Sequence, residues 1–288
     1  MNDEANQLAA IVKAEILSAN KISASTKMGL RQLYFYYQQL IAEKKPLPNI
    51  WDVGFRIFSQ FDEDGVIHFL LAVAGIGPRK YVDIGCGDGY YGSNTANLSL
   101  NLGFHGLGID GDEQLLKKAH SIFSNHSDTF AYPPKFVKGH VIRENINELI
   151  SENGFSGEVD VLSIDIDGND YWVWEAINCI SPRIVVIETH VEFGLENIVV
   201  PYDKDYVHPG KHPQYHGASP IAMEKLGKKL GYRLVGANRL GFNFIFLRKD
   251  LAPDLIPGVK AEDVLWHQRN AECHKLFDEI RDYPYLPG

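Results

Sequence analysis

Cysteine is scarce. Cys86, Cys179 and Cys273 are the only three, far apart and without CxxC spacing. An odd, scattered set excludes a disulfide framework and a zinc ribbon, and points to a reducing, cytoplasmic setting. Basic runs are missing as well. No Lys/Arg run exceeds a pair, and 28 basic residues against 37 acidic ones leave a net charge of −9. Polyanion binders usually carry a basic patch, so the sequence argues against nucleic acid as a partner. No apolar run approaches the ~20 residues of a membrane span. The N-terminal stretch MNDEANQLAA carries acids where a signal peptide needs lysines. Repeats and low-complexity tracts are also absent. What remains is ordinary globular composition, 45% hydrophobic and 23% charged over 288 residues, long enough to bury a sizeable core unaided.

The first sixty residues read as helical. Leu8, Ile11, Val12 and Ile16 share one face, and so do Leu30, Leu33, Tyr34, Tyr37 and Ile41, until Pro46 and Pro48 break the pattern. The aromatic cluster from Tyr34 to Tyr37 reads as core or as a homodimer contact between N-terminal helices, with an aromatic shelf for a cofactor or substrate as the alternative. From residue 80 short β runs alternate with helical stretches. Strands are expected at 81–84, 105–109, 136–138, 159–164 and 184–187. The intervening helices lie near 91–101, around Leu115 to Ala119, at 144–153 and from Tyr171. That alternation means βαβ units and a mostly parallel α/β sheet with helices on both faces. The rhythm stops at 191–218, a proline- and histidine-rich segment with the length of a lid. Ser219-Pro220 then opens a helix over 220–230. The runs 232–235 and 242–247 are close enough to form an antiparallel hairpin at one end of the sheet. A last helix is expected near 260–281.

The sharpest local signal is Asp83-Ile84-Gly85-Cys86-Gly87-Asp88-Gly89. A strand running into a glycine-rich turn turns backbone N–H groups toward a ligand, and the glycines allow close approach. Asp110 ends the next strand, where a carboxylate can accept both hydroxyls of a ribose. The string 87–92 also matches GxGxxG. Counted from the first glycine after the strand, however, the sixth position is Tyr90, too bulky for a tight pyrophosphate turn. Asp83 suits a cation, the sulfonium and amino-acid end of S-adenosylmethionine, better than a diphosphate. An acid two residues before GxGxG, with a second acid ending the next strand, resembles motif I of class I S-adenosylmethionine-dependent methyltransferases. The cofactor-binding set is then Asp83, Gly85, Gly87, Gly89 and Asp110. Asn145, after the third strand, either reads the adenine edge or caps its helix or faces solvent.

Past the fourth strand lie Asp165, Asp167, Asn169 and Asp170, and the fifth ends in Glu188-Thr189-His190. Crowded carboxylates need a cation, a proton or capping amides. One reading is a divalent cation such as Mg²⁺ held by Asp165, Asp167 and Glu188. The other is metal-free, with His190 as general base. Asp170 reads as the cap of the following helix. His208, His212 and His216 read as loop or substrate contacts, since Pro209 and Pro213 oppose the helix a metal pair would need. Trp172 and Trp174 read as core or as a sugar-stacking face.

The run from Val159 to Trp172 resembles the corresponding motif of FkbM-like methyltransferases. Phe58–Ile67, Gly217-Ala218-Ser219 and Gly231–Val235 are similar to the same family, so the resemblance covers roughly residues 55–250. It implies a Rossmann-like, seven-stranded class I fold and O-methylation of a hydroxyl. The acceptor it implies is a sugar in a polysaccharide, glycolipid or glycosylated natural product. Glu188-Thr189-His190 resembles the family's acid-x-His. It is also similar to magnesium-holding O-methyltransferases, except that these carry Asp or Asn where Thr189 stands, so metal dependence stays open. The expected organisation is an N-terminal helical extension (1–60), a methyltransferase domain (61–250) with the lid at 191–218, and a helical tail (251–288). A nicotinamide-dependent sugar oxidoreductase and a non-catalytic S-adenosylmethionine-binding scaffold are the competing readings.

Overall fold

The computed structural model describes residues 24–288. The face formed by Leu8, Ile11, Val12 and Ile16 lies outside the described residues. The strands are β1 (Lys80–Ile84), β2 (His105–Asp110), β3 (Lys135–Lys138), β4 (Gly157–Ile164), β5 (Ile180–Glu188), β6 (Tyr232–Ala237) and β7 (Asn243–Arg248). They form one seven-stranded sheet in the order β3-β2-β1-β4-β5-β7-β6. β1 to β5 are parallel, and the β6–β7 hairpin is antiparallel. The sheet is thus mostly parallel, as the alternation of strands and helices predicts. β5 runs longer than expected because Ile180 to Pro182 also pair with β4.

Side chains alternate between the two faces as the pleat requires. Val82, Ile84, Leu162, Ile164, Val185, Ile187 and Phe244 pack on one side with α5 (Ile146–Glu152), α6 (Asp170–Ala176) and α7 (Pro220–Lys229). Tyr81, Val161, Ile184, Val186, Ile245 and Leu247 pack on the other. That second face is covered by α2 (Glu63–Ala74), which is buried along nearly its whole length and has α1 (Ala24–Ala42) outside it. Leu30 and Tyr37 of α1 are buried and Leu33, Tyr34 and Ile41 partly so, whereas Phe35 and Tyr36 point outward. The remaining longer helices, α3 (Ala96–Leu102) and α4 (Glu113–Asn125), flank β2. α3 starts later than expected because the Ser93 hydroxyl accepts the Thr95 and Ala96 amides in a turn of its own.

The tail departs from the single helix expected. It forms α8 (Ala261–Val264), α9 (Gln268–Cys273) and a 3₁₀ segment, His274–Glu279. His267 breaks the run: its backbone is extended and its ring nitrogen accepts the Arg269 amide. Phe277 and Ile280 pack against Phe193 and Tyr215, and Leu286–Pro287 pairs with Ile198–Val199, so the tail is bound to the lid segment. No helix of the described residues is long and apolar enough to cross a membrane.

The chain passes from β1 outward to β3, then returns to lay β4 on the other side of β1. Such a switch point opens a crevice at the carboxyl ends of the strands. In the loop that leads into α2, one side chain gathers several buried donors. The Asp64 carboxylate accepts the amides of Ile57, Phe58 and Ser59 and the Ser59 hydroxyl. Asp64→Ala would strand those buried donors. It should cost about 3 kcal/mol or more in urea unfolding, while Ser59→Ala, which removes one donor, costs about 1 kcal/mol.

Candidate active site

The glycine loop leaves β1 in close contact with the end of β4. The amides of Gly85 and Cys86 donate to the Ile109 carbonyl at 2.8 and 3.2 Å, and the Asp165 amide donates to Ile84 at 2.9 Å. A Cβ on Gly85 would lie 1.7 Å from the Asp165 carbonyl oxygen, at a φ of +82° that L side chains rarely adopt. Gly87, with φ +55°, has open space where its Cβ would be, and its amide donates to Asp110 at 2.8 Å. In front of them lies a cleft of about 420 Å³, within the usual range for small-molecule sites. Gly85, Gly87, Asp110, His140, Asp165 and Asp167 are among the residues that line it.

Other expected cofactor residues stand behind this surface. Asp83 is 5% exposed, accepts the Thr95 hydroxyl at 2.6 Å and does not line the cleft; burial pushes its carboxyl up to about 6. Gly89 packs on Phe136, leaving no room for a side chain. Asn145 neither lines the cleft nor caps its helix with its side chain. Its amide group instead accepts the Ile142 N–H and donates to the His140 carbonyl, shaping the loop that presents His140 and Val141.

The carboxylates of Asp165, Asp167 and Glu188 converge, with one oxygen from each within 4.8 Å of the others. Asp170 makes this possible. Rather than capping the helix after it, its carboxylate reaches back to the amides of Ile166 at 2.9 Å and Gly168 at 3.0 Å. The bent loop holds Asp167 at φ +50°, an uncommon conformation for a non-glycine residue. Among the described residues no lysine, arginine or histidine forms an ion pair with any of the three. Burial, followed by repulsion from Asp170 and Asp167, pushes Asp165 up to about 8. Burial, followed by Asp165, likewise raises Glu188 well above its ordinary value. Converging oxygen ligands with no positive partner suit a hard divalent cation such as Mg²⁺, with its other positions left to water or substrate.

His190 takes a different position from the one expected of a base. Its Nε2 meets the Gln214 carbonyl at 2.8 Å and its Nδ1 the Glu192 carboxylate at 3.1 Å, and the ring does not line the cleft. Burial raises the Glu192 carboxyl, but the hydrogen bond and charge of His190 outweigh it and hold the group below its ordinary value. The His216 ring lies tilted against His190, 4.3 Å between centroids, and burial, helped by His190 and His208, lowers it to about 3. His212 faces Glu279 at 3.4 Å, so of the three loop histidines only His208 lines the cleft. Tyr206 and Val207 line it beside His208, and no residue pattern marks them beforehand. Trp174 packs on Tyr232 and Phe246 in the core. The Trp172 indole donates to the Val200 carbonyl, bracing the lid.

No family model matches the chain, and no curated protein matches it. Solved structures are similar to it at low identity. An O-methyltransferase from Bacillus cereus in complex with SAH is 15% identical, over 82% of this chain and 96% of that one, with a TM-score of 0.42. The magnesium protoporphyrin IX methyltransferase from Synechocystis with bound SAH is 16% identical, over 65% and 81%, with a TM-score of 0.41. An S-adenosylmethionine-dependent methyltransferase from Clostridium acetobutylicum is 12% identical, over 76% and 98%, with a TM-score of 0.40.

The acid cluster sets a pH dependence whose sign follows from the raised carboxyls. Their stabilising contribution is complete below about pH 4, where both states hold the proton, and is lost as pH rises through about 8. In EDTA, Tm should therefore fall between pH 6 and 9 by at least about 2–4 °C. Asp165→Asn should flatten that slope. Mg²⁺ should raise Tm more at pH 8.5 than at pH 6, because at low pH it must displace protons. Melting curves at the two pH values check all three.

Proposed function

We propose that the protein is an S-adenosylmethionine-dependent O-methyltransferase of the FkbM-like kind. Its acceptor is a hydroxyl, that of a sugar in a polysaccharide, glycolipid or glycosylated natural product. The observation that carries this reading is the shared cleft. Gly85, Gly87 and Asp110 form one wall and the carboxylates of Asp165 and Asp167 the other, so a cofactor and the group that handles a proton meet in one cavity. The charge of that cavity favours a sulfonium over a dinucleotide. Three carboxylates line it, from Asp110, Asp165 and Asp167, and a diphosphate among them would meet like charge.

The bound cofactor supplies an electrophilic methyl group. Gly87 lets the backbone approach it closely, and Asp110 accepts the ribose hydroxyls on lone pairs not used by the Gly87 and Asp112 amides. Asp83 acts from behind, holding the Thr95 hydroxyl at the turn into α3. Asp165, on the wall of the cleft, is placed to handle the acceptor's proton. Asp165, Asp167 and Glu188 would hold a divalent cation, which when bound supplies Lewis acidity toward an acceptor oxygen. His190, bonded at both ring nitrogens, positions the lid through Gln214 and Glu192. The lid at 191–218 excludes water from the cleft, within a catalytic domain spanning 61–250. Phe35 and Tyr36, exposed on α1, offer a surface for a homodimer, and the three free thiols suit the cytoplasm.

Calorimetric titration with S-adenosylhomocysteine (SAH) should give micromolar binding, with none for NADH; the reverse outcome would return residues 85–92 to a dinucleotide loop. Asp110→Ala should weaken SAH by about 10–100-fold, the loss of hydrogen bonds to a charged group. Asp165→Asn should lower turnover by about 10²–10⁴-fold while changing SAH affinity far less. Cofactor binding without turnover on any hydroxyl acceptor, and no effect of Asp165→Asn, would favour the scaffold reading.

A further inference from the structure

A second cavity, of about 460 Å³, lies beneath the lid and shares Asn169, Tyr206 and Val207 with the cofactor cleft. Tyr206 is the partition. One edge of its ring lies over Gly168 and the other against Gly210, where an added Cβ would come within 2.4 and 2.6 Å of ring carbons. The two glycines, one on the acid loop and one in the lid, thus make room for this ring. Its hydroxyl is buried and has no hydrogen-bond partner. An unpaired buried donor is costly, so such a group calls for an explanation, and a ligand oxygen supplies one.

We propose that this second cavity receives the acceptor, and that it selects an uncharged, hydroxyl-bearing molecule over an anionic one, with the Tyr206 hydroxyl donating to it. The proposal rests on the methyl-transfer reading for its meaning, but binding in the cavity can be measured without it. Three features carry it. Asp203 and Asp205 face one ammonium group, Lys211, so the lining has an excess of negative charge. A phenol is a donor at neutral pH, and an anionic acceptor meets a lining of its own sign. The rings of Tyr202, Tyr206 and Tyr215 give apolar faces to a ligand whose polar groups lie on its edges. The Asn169 side chain donates to the Asp203 carbonyl at 2.8 Å, tying this wall to the acid loop.

The test is saturation-transfer NMR on the full chain, with and without SAH. The probes are a mixture of neutral methyl hexopyranosides and a matched mixture of methyl hexuronates. Wild type should receive signal into the neutral probes and not the uronates. Tyr206→Phe should weaken neutral binding about tenfold, the loss of one hydrogen bond. Asp205→Trp should abolish it by filling the cavity. Asp205→Lys reverses the charge balance and should admit the uronates, a gain that a misfolded variant cannot imitate. Silence from the neutral probes, equal binding of uronates to wild type, or neutral binding that survives both Asp205→Trp and Tyr206→Phe would overturn the proposal. If the neutral probes bind as expected while SAH does not, the cavity assignment stands and the methyl-transfer reading fails.

Discussion

Three carboxylates from two neighbouring strand ends share a volume only a few ångströms across, and no basic side chain of the described residues neutralises them. A fold does not place like charges together without a compensating gain, because they resist one another. The local backbone is built to sustain the crowding. Asp170 spends both its oxygens on the amides of Ile166 and Gly168, Asp167 is held at positive φ, and burial with mutual repulsion raises the carboxyls of Asp165 and Glu188. Strain and raised carboxyls concentrated in one cleft are features that active sites share.

The position of that cluster depends on the sheet. β1 and β4 are neighbours in space but far apart in sequence, and their ends touch through Gly85 and the Asp165 carbonyl. The contact joins the glycine-loop wall of the cleft to the acid wall. Any side chain at Gly85 would force the two strand ends apart, so one glycine serves both the loop's conformation and the cleft's width. Asp110 completes the arrangement by accepting the Gly87 amide, which links the end of β2 to the same loop.

The lid has little regular structure of its own, a 3₁₀ turn at Val191–Phe193 and the short strand Ile198–Val199, and its other anchors come from elsewhere. Trp172 bonds Val200, Asn169 bonds Asp203, and Tyr215 packs between Tyr283 and Tyr285 of the tail. His190 and Glu192 form a further brace at the end of β5. A segment fixed at its roots, with Tyr206 to His208 over the cleft, suits a cover whose middle meets ligand.

Much of this was legible in the residues. The alternation of β runs and helices gave the order of elements. Two strand-end signals, glycines after β1 and acids after β4 and β5, marked one edge of the sheet as the functional one. The three carboxylates named as a cation site do converge. Periodicity and spacing are local properties, and local properties were enough for these. The sequence could not say which way a side chain turns once several elements compete for it. Asp83 sits two residues from Gly85 yet is buried behind the loop, Asn145 folds back on its own turn, and His190 faces the lid. Tyr206 carried no pattern at all, because its place depends on two glycines 42 residues apart (168 and 210) that come together only in the folded chain. The tail looked like one helix because its residues permit one; the lid it packs against decided otherwise. Covalent neighbours and period specify elements, whereas burial, charge and hydrogen-bond partners brought from distant parts of the chain decide what each polar side chain can do.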